Sequence, residues 1–199
     1  MKEMKVRLTF TEEILGTAPT NPEIYVDFIG SNAPDAPSRE EEIEAIGVEA
    51  MVEKGMTVFP RNKDGQPILF DYQIKGFFKN SAKAFNYVGG KSKLTAYKSK
   101  IDNCIFVKER QIVLQLPEGT EIGNCQRPLR AQTAQGERVA LANSESCPVG
   151  TVIEFTIMCM VDDLMNNVIE WLDYGALNGI GQWHSSGKGR FEWREITDK

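Results

Sequence analysis

Apolar and polar residues alternate over residues 5–10, with Val6, Leu8 and Phe10 set against Lys5, Arg7 and Thr9. That period of two predicts a half-buried strand. Residues 16–22 are turn-rich, 24–29 are apolar around Asp27, and 32–37 carry two prolines. Ser38 followed by Glu41 makes a capping box, and Ile43 and Ile46 give the following helix an apolar side before Gly55 ends it. Residues 56–60 and 67–70 flank Asn62-Lys63-Asp64-Gly65, and Asp-Gly between extended runs predicts a hairpin. Tyr72-Gln73-Ile74-Lys75-Gly76 comes next, and 77–87 reads as a helix. Phe78, Ala82 and Phe85 lie on one side of that helix, Lys79 and Lys83 on another. Gly89-Gly90 closes it, and 91–100 is a basic linker or short helix carrying Tyr97. Strands are predicted at 101–107 and 111–116. A polar extended stretch at 126–142 turns near Gly136. After a turn at Pro148-Val149-Gly150 come a strand at 152–160 and an amphipathic helix at 162–174 with Leu164, Val168, Trp171 and Leu172 inward. A glycine-rich stretch then leads to a final strand at 190–196. With the insertions removed, this order fits an α+β fold: a ferredoxin-like (RRM-like) βαββαβ sandwich with an inserted acidic helical segment and extra β-hairpins. One domain over 1–199 is expected, with an insertion at about 12–55.

The formal net charge of −5 argues against a protein that coats duplex DNA indiscriminately, but the charge is unevenly distributed. Residues 75–100 hold Lys75, Lys79, Lys83, Lys91, Lys93, Lys98 and Lys100 without an acid. Residues 35–53 hold Asp35, Glu40, Glu41, Glu42, Glu44, Glu49 and Glu53. A run of lysines interleaved with Tyr87 and Tyr97 suits a surface that holds phosphates and stacks bases. Cys104, Cys125, Cys147 and Cys159 form no CxxC pair, and His184 is the single histidine, so no metal site and no cofactor is expected. No stretch approaches membrane-spanning length, and the charged start does not read as a signal peptide. A cytoplasmic protein with reduced thiols and no membrane partner is expected.

The remaining chemistry gathers at residues 175–193. Gly175, Gly179, Gly181, Gly187 and Gly189 sit among Trp183, His184, Ser185, Ser186, Lys188 and Arg190. Glycines let backbones approach closely, and amides in such loops can line an anion site. The stretch has neither phosphate-loop spacing nor the position of a dinucleotide fingerprint, since a strand follows it. Arg127, Arg130 and Arg138 form a second basic group. His184 is the one conventional acid–base side chain, and with no second histidine it reads as a loop residue rather than a catalyst. Asp162-Asp163 opens a helix, where acids serve the dipole.

Three blocks resemble the RAMP superfamily of CRISPR-associated proteins, especially the subunit that polymerises along guide RNA in type III effector complexes. The first is Thr57-Val58-Phe59-Pro60-Arg61-Asn62-Lys63-Asp64-Gly65-Gln66-Pro67, continuing into Tyr72-Gln73-Ile74-Lys75-Gly76. The second runs over residues 127–160 through Gly136, Glu145 and Pro148-Val149-Gly150-Thr151. The third is Gly179 to Phe191, similar to the superfamily's carboxy-terminal glycine loop. The resemblance implies a non-catalytic single-stranded RNA-binding protein of antiviral defence that self-associates head to tail or joins other effector subunits. Its contacts would be Lys75, Lys79, Lys83, Lys91 and Lys93 on the basic segment and Arg127 and Arg130 on the second group. Gly181, Trp183, His184, Ser185, Ser186, Lys188 and Arg190 would add those of the glycine loop. Target-cleaving members carry an aspartate just before the hairpin. This chain has Glu53-Lys54-Gly55-Met56 there, so cleavage by that route is not implied. Two alternatives stay open. One is a phage or mobile-element protein that mimics an effector subunit and inhibits a defence complex through the acidic segment at 38–54. The other is an RNA endonuclease using His184.

Overall fold

The computed structural model describes residues 1–19, 56–89, 93–133 and 136–197. The acidic helix expected from Ser38, and Lys91 of the basic segment, lie outside these residues. The fold is mixed, with mainly antiparallel sheets and three α-helices among the described residues, an α+β protein. Two compact units form. One is built from Met1–Ile14, Pro60–Ile122 and Cys147–Lys199, the other from Leu15–Phe59 and Gly123–Ser146.

The first unit centres on a four-stranded antiparallel sheet in the order β11-β1-β10-β6. β1 is Lys2–Phe10, β6 is Ile105–Val107, β10 is Val152–Cys159 and β11 is Phe191–Glu195. Val6 pairs with Phe155 on one side and Glu195 on the other, so β1 is central. Alternation puts Met4, Val6, Leu8 and Phe10 of β1 on one face with Ile153, Phe155, Ile157 and Cys159 of β10, all buried. Two helices cover that face: α1, Asp71–Val88, and α3, Asp162–Tyr174. α1 sends Ile74, Phe77, Phe78 and Ala82 inward, and α3 sends Leu164, Met165, Val168, Trp171 and Leu172. Phe78 packs against Trp171 with ring centroids 5.8 Å apart, and Phe77 meets Phe191 edge-on at 5.2 Å. Each such fully buried side chain stabilises by about 1.5–3 kcal/mol. The opposite face of the sheet carries Lys5, Arg7, Thr9, Glu154 and Thr156, with Arg7 Nε donating to Glu154 at 2.6 Å.

Several expectations shift by a few residues for identifiable reasons. α1 begins at Asp71, before the predicted 77, because Gln73 Oε1 accepts from the Phe70 amide at 2.8 Å and burial of Ile74 fixes the first turn. Gly76 is therefore inside the helix rather than before it. Residues 101–104 are helical, as the end of α2, Tyr97–Cys104, because Ile101 is the short helix's one buried anchor. The strand expected from 101 is thus only β6. A two-stranded antiparallel sheet joins β5, Ile68–Phe70, to β7, Gln111–Val113.

In the second unit a long hairpin pairs β8, Gly123–Thr133, with β9, Gly136–Cys147, from Gly123–Ser146 to Thr133–Gly136. β4, Met56–Val58, runs parallel to β9 and antiparallel to β3, Ala18–Pro19. The Asn62–Gly65 turn forms as predicted. Asn62 Oδ1 accepts from the amides of Asp64 and Gln66 at 3.0 and 2.9 Å. The flanking strands separate beyond the Arg61–Pro67 bridge, however: β4 pairs with β9, and β5 with β7. The turn residues encode the reversal, and hydrophobic partners further along the chain decide the pairing.

Candidate nucleic-acid interface

The apolar side of α1 faces the sheet, so its lysines emerge along the other side. Lys75, Lys79 and Lys83 follow one another at i, i+4, i+8, which makes a row down one helical face. Lys83 is exposed. Lys79 Nζ pairs with Asp102 Oδ1 at 2.6 Å, and Lys75 Nζ donates to the Asp102 carbonyl at 3.2 Å. The start of α1 and the end of α2 thus share one acidic residue between two ammonium groups, leaving Lys83 as the outermost charge of the row. Lys93 is exposed beside a groove of about 430 Å³ lined also by Asn86, Leu94, Tyr97 and Lys98. Asn86 clamps this groove, donating to the Leu94 carbonyl at 3.1 Å and accepting from its amide at 2.9 Å. Tyr87, at the end of α1, is 81 % exposed.

The glycine loop leaves α3 at Gly175 and returns into β11. Its glycines serve close packing. A Cβ on Gly175 would overlap the Phe191 ring, and one on Gly179 would overlap the Gly189 carbonyl. The loop amides largely close on the loop itself. Ile180 donates to the Gly189 carbonyl at 3.0 Å, Gly187 to His184 at 3.0 Å, and Gly189 to Glu13 at 2.8 Å. A row of open amides is therefore not what the loop presents. It presents side chains: Ser185 and Ser186 are exposed on the 3₁₀ turn His184–Ser186, and Trp183 is partly exposed with a φ of 57°. His184 Nδ1 lies 2.7 Å from Asn178 Oδ1. Lys188 is ion-paired with Glu13, and the Arg190 guanidinium lies against Gly187. Gly181 has a φ of 93°, within the turn before Trp183.

The predicted residues thus form two groups in the first unit, one at Asp102 and one around Gly187. In the second unit Arg127 is buried, donating to Ser144 Oγ at 3.2 Å, while Ser144 Oγ also meets Thr57 Oγ1 at 2.7 Å. Arg130 lies on β8, with its side chain outside the described residues. A third feature lies at the start of α1. Tyr72 stacks on Phe70 with centroids 5.5 Å apart and planes within 14°. The Arg110 guanidinium sits 5.6 Å from the Phe70 centroid and 5.8 Å from that of Tyr72. Nearby, Lys75 Nζ lies 4.8 Å over the Phe106 ring. Two aromatic residues close together in sequence, Phe70 and Tyr72, were the available signal. Their partner Arg110 is distant along the chain.

No known family's sequence pattern matches this chain, and no curated protein matches it. Among solved structures, it aligns over 98 % of its length with a chain of the Type III-B Cmr-beta complex, determined by cryo-EM bound to cognate target RNA. The TM-score is 0.59 at 13 % identity, and the alignment spans 60 % of that chain. A chain of a Type IV-B CRISPR complex aligns over 98 % of this chain and 91 % of its own, with a TM-score of 0.48 at 9 % identity. The first likeness shows a fold shared with that Cmr-beta chain. No helix among the described residues is long and apolar enough to cross a membrane.

Proposed function

We infer that this protein is a RAMP-like, non-catalytic, single-stranded RNA-binding subunit of the type III effector kind. It consists of one ferredoxin-like domain with an insertion at about residues 12–55. The element order β1, α1, β6, β10, α3, β11 in a sheet ordered β11-β1-β10-β6 supports the ferredoxin-like reading. The fold likeness to a chain of an RNA-bound Type III-B complex supports the superfamily reading. The observation that carries RNA binding is the lysine row of α1, Lys75, Lys79 and Lys83, opposite the helix's buried side. Ser185, Ser186 and Trp183 on the glycine loop are further contacts of this reading, and other effector subunits or further copies of this chain are its protein partners. The non-catalytic reading is supported by the surroundings of His184. The Asn178 amide orients the ring but contributes no charge to drive proton transfer.

The test is fluorescence anisotropy with a short labelled RNA at several salt concentrations. Binding should weaken as salt rises, and Lys79→Ala with Lys83→Ala should weaken it further and flatten the salt dependence. Failure of the wild-type protein to bind RNA at low salt would sink the reading.

A further inference from the structure

We propose that Tyr72 and Arg110 form a stacking platform for one unpaired nucleobase at the head of the α1 lysine row. The proposal rests on the RNA-binding reading and adds to it a site for a base rather than a phosphate.

The platform is rigid. Phe70 backs the Tyr72 ring from one side, in near-parallel planes. Arg110 is tied to the same place twice: its side chain is ion-paired with Asp71, and its carbonyl accepts from the Asp71 amide at 3.3 Å. The Tyr72 amide in turn donates to Asp71 Oδ1 at 2.9 Å. Despite this bracing, Tyr72 remains 56 % exposed and the Arg110 side chain 68 % exposed. A flat ring and a guanidinium, both fixed and both open to water, are the surfaces on which unstacked bases settle.

Its place in the fold selects the ligand. Tyr72, Lys75, Lys79 and Lys83 follow at i, i+3, i+7 and i+11 along one side of α1, a line of about 16 Å at 1.5 Å per residue. A nucleotide whose base rests on Tyr72 would therefore have its backbone directed along the ammonium groups. One turn on, Lys75 covers part of Phe106, which is 36 % exposed at the edge strand β6, giving a second aromatic surface beside a cation. A protein partner is less well matched. Protein interfaces also favour Tyr and Arg, but they are depleted in lysine, and Tyr72 is continued along α1 by Lys75, Lys79 and Lys83.

The experiment uses a single-stranded oligoribonucleotide containing one 2-aminopurine, together with the same strand carrying an abasic position there. The protein should quench the 2-aminopurine on binding and should bind the abasic strand several-fold more weakly. Tyr72→Leu should lose the quenching and bind about tenfold more weakly, the usual range for a stacked base. Tyr72→Phe should keep both, and Arg110→Gln should bind more weakly. Lys83→Ala should weaken binding while leaving the quenching intact. If the wild-type protein binds both strands equally, or Tyr72→Leu quenches as the wild type does, the platform is wrong and the RNA reading stands. If the wild-type protein binds neither strand, both fall. The abasic comparison decides the matter even where Tyr72→Leu fails to fold.

Discussion

Single residues here are constrained mostly by what lies beside them. Gly189 adopts a φ of 67°, and a Cβ there would overlap the Ile180 carbonyl. Gly189→Ala should cost about 2–4 kcal/mol, the sum of left-handed strain and a backbone clash, read as a fall in the urea midpoint. Cys159 gives a prediction in pH. Burial, and then the neighbouring Cys104, push its thiol up from 9.0 to about 11, with Lys2 opposing. The folded state therefore holds the proton more tightly than the unfolded chain. Stability from this residue is complete below pH 9.0 and is lost as pH rises towards about 11. The urea midpoint of the wild type should fall more steeply across that window than that of Cys159→Ala, and parallel curves would refute the assignment. Burial of Cys159 was legible in the alternation of its strand, whereas its nearness to Cys104 was not. Lys79, Lys83 and Lys188 were each legible as surface cations. The acidic partners of Lys79 and Lys188 were not, since Lys188 finds Glu13 across 175 residues of chain.

At the scale of elements, the sequence specified what hydrophobic period alone can specify. The helix predicted over 162–174 is α3, Asp162–Tyr174, because Leu164, Val168, Trp171 and Leu172 recur on one side and Gly175 follows its last turn. β10 and the Asn62–Gly65 turn followed from the same kind of local signal. α1 shows where local signal stops. Its first two turns contain Tyr72, Ile74 and Gly76, which favour extended structure or disfavour helix, and packing of Ile74 and Phe77 overrides them. Gly76 is thus an internal helix residue with open space around its Cα. Gly76→Ala should stabilise the protein by about 0.5–1 kcal/mol, seen as a higher thermal midpoint, because it reduces the freedom of the unfolded chain. With a helix expected only from 77, Tyr72 has no reason to align with Lys75, Lys79 and Lys83.

For the molecule as a whole, the net charge of −5 says little about binding, because many charges are locally matched. Arg7 pairs with Glu154, Arg110 with Asp71, Lys79 with Asp102 and Lys188 with Glu13. Cations already satisfied by protein carboxylates release fewer counterions on meeting a phosphate. In the salt titration, Lys83→Ala should lower the slope of log affinity against log salt by about 0.7, the single-strand value per phosphate. Adding Lys79→Ala should lower it by less, since Asp102 already neutralises Lys79. The strand order of the main sheet, β11-β1-β10-β6, joins segments far apart in the chain. The registers that hold it, joining β1 to residues 152–159 and 191–195, come from tertiary packing.

That arrangement has a consequence for how the protein is made. Both neighbours of β1 in the sheet lie far downstream of it in the chain and are translated much later. About 140 residues separate Phe10 from Val152, so at about 5–20 residues per second the nascent strand waits roughly 7–28 s for a partner. Throughout that interval Val6, Leu8 and Phe10 form a short β-prone segment with both edges open. The interleaved lysine and arginine, Lys5 and Arg7, then act as gatekeepers that hold it apart from other growing chains.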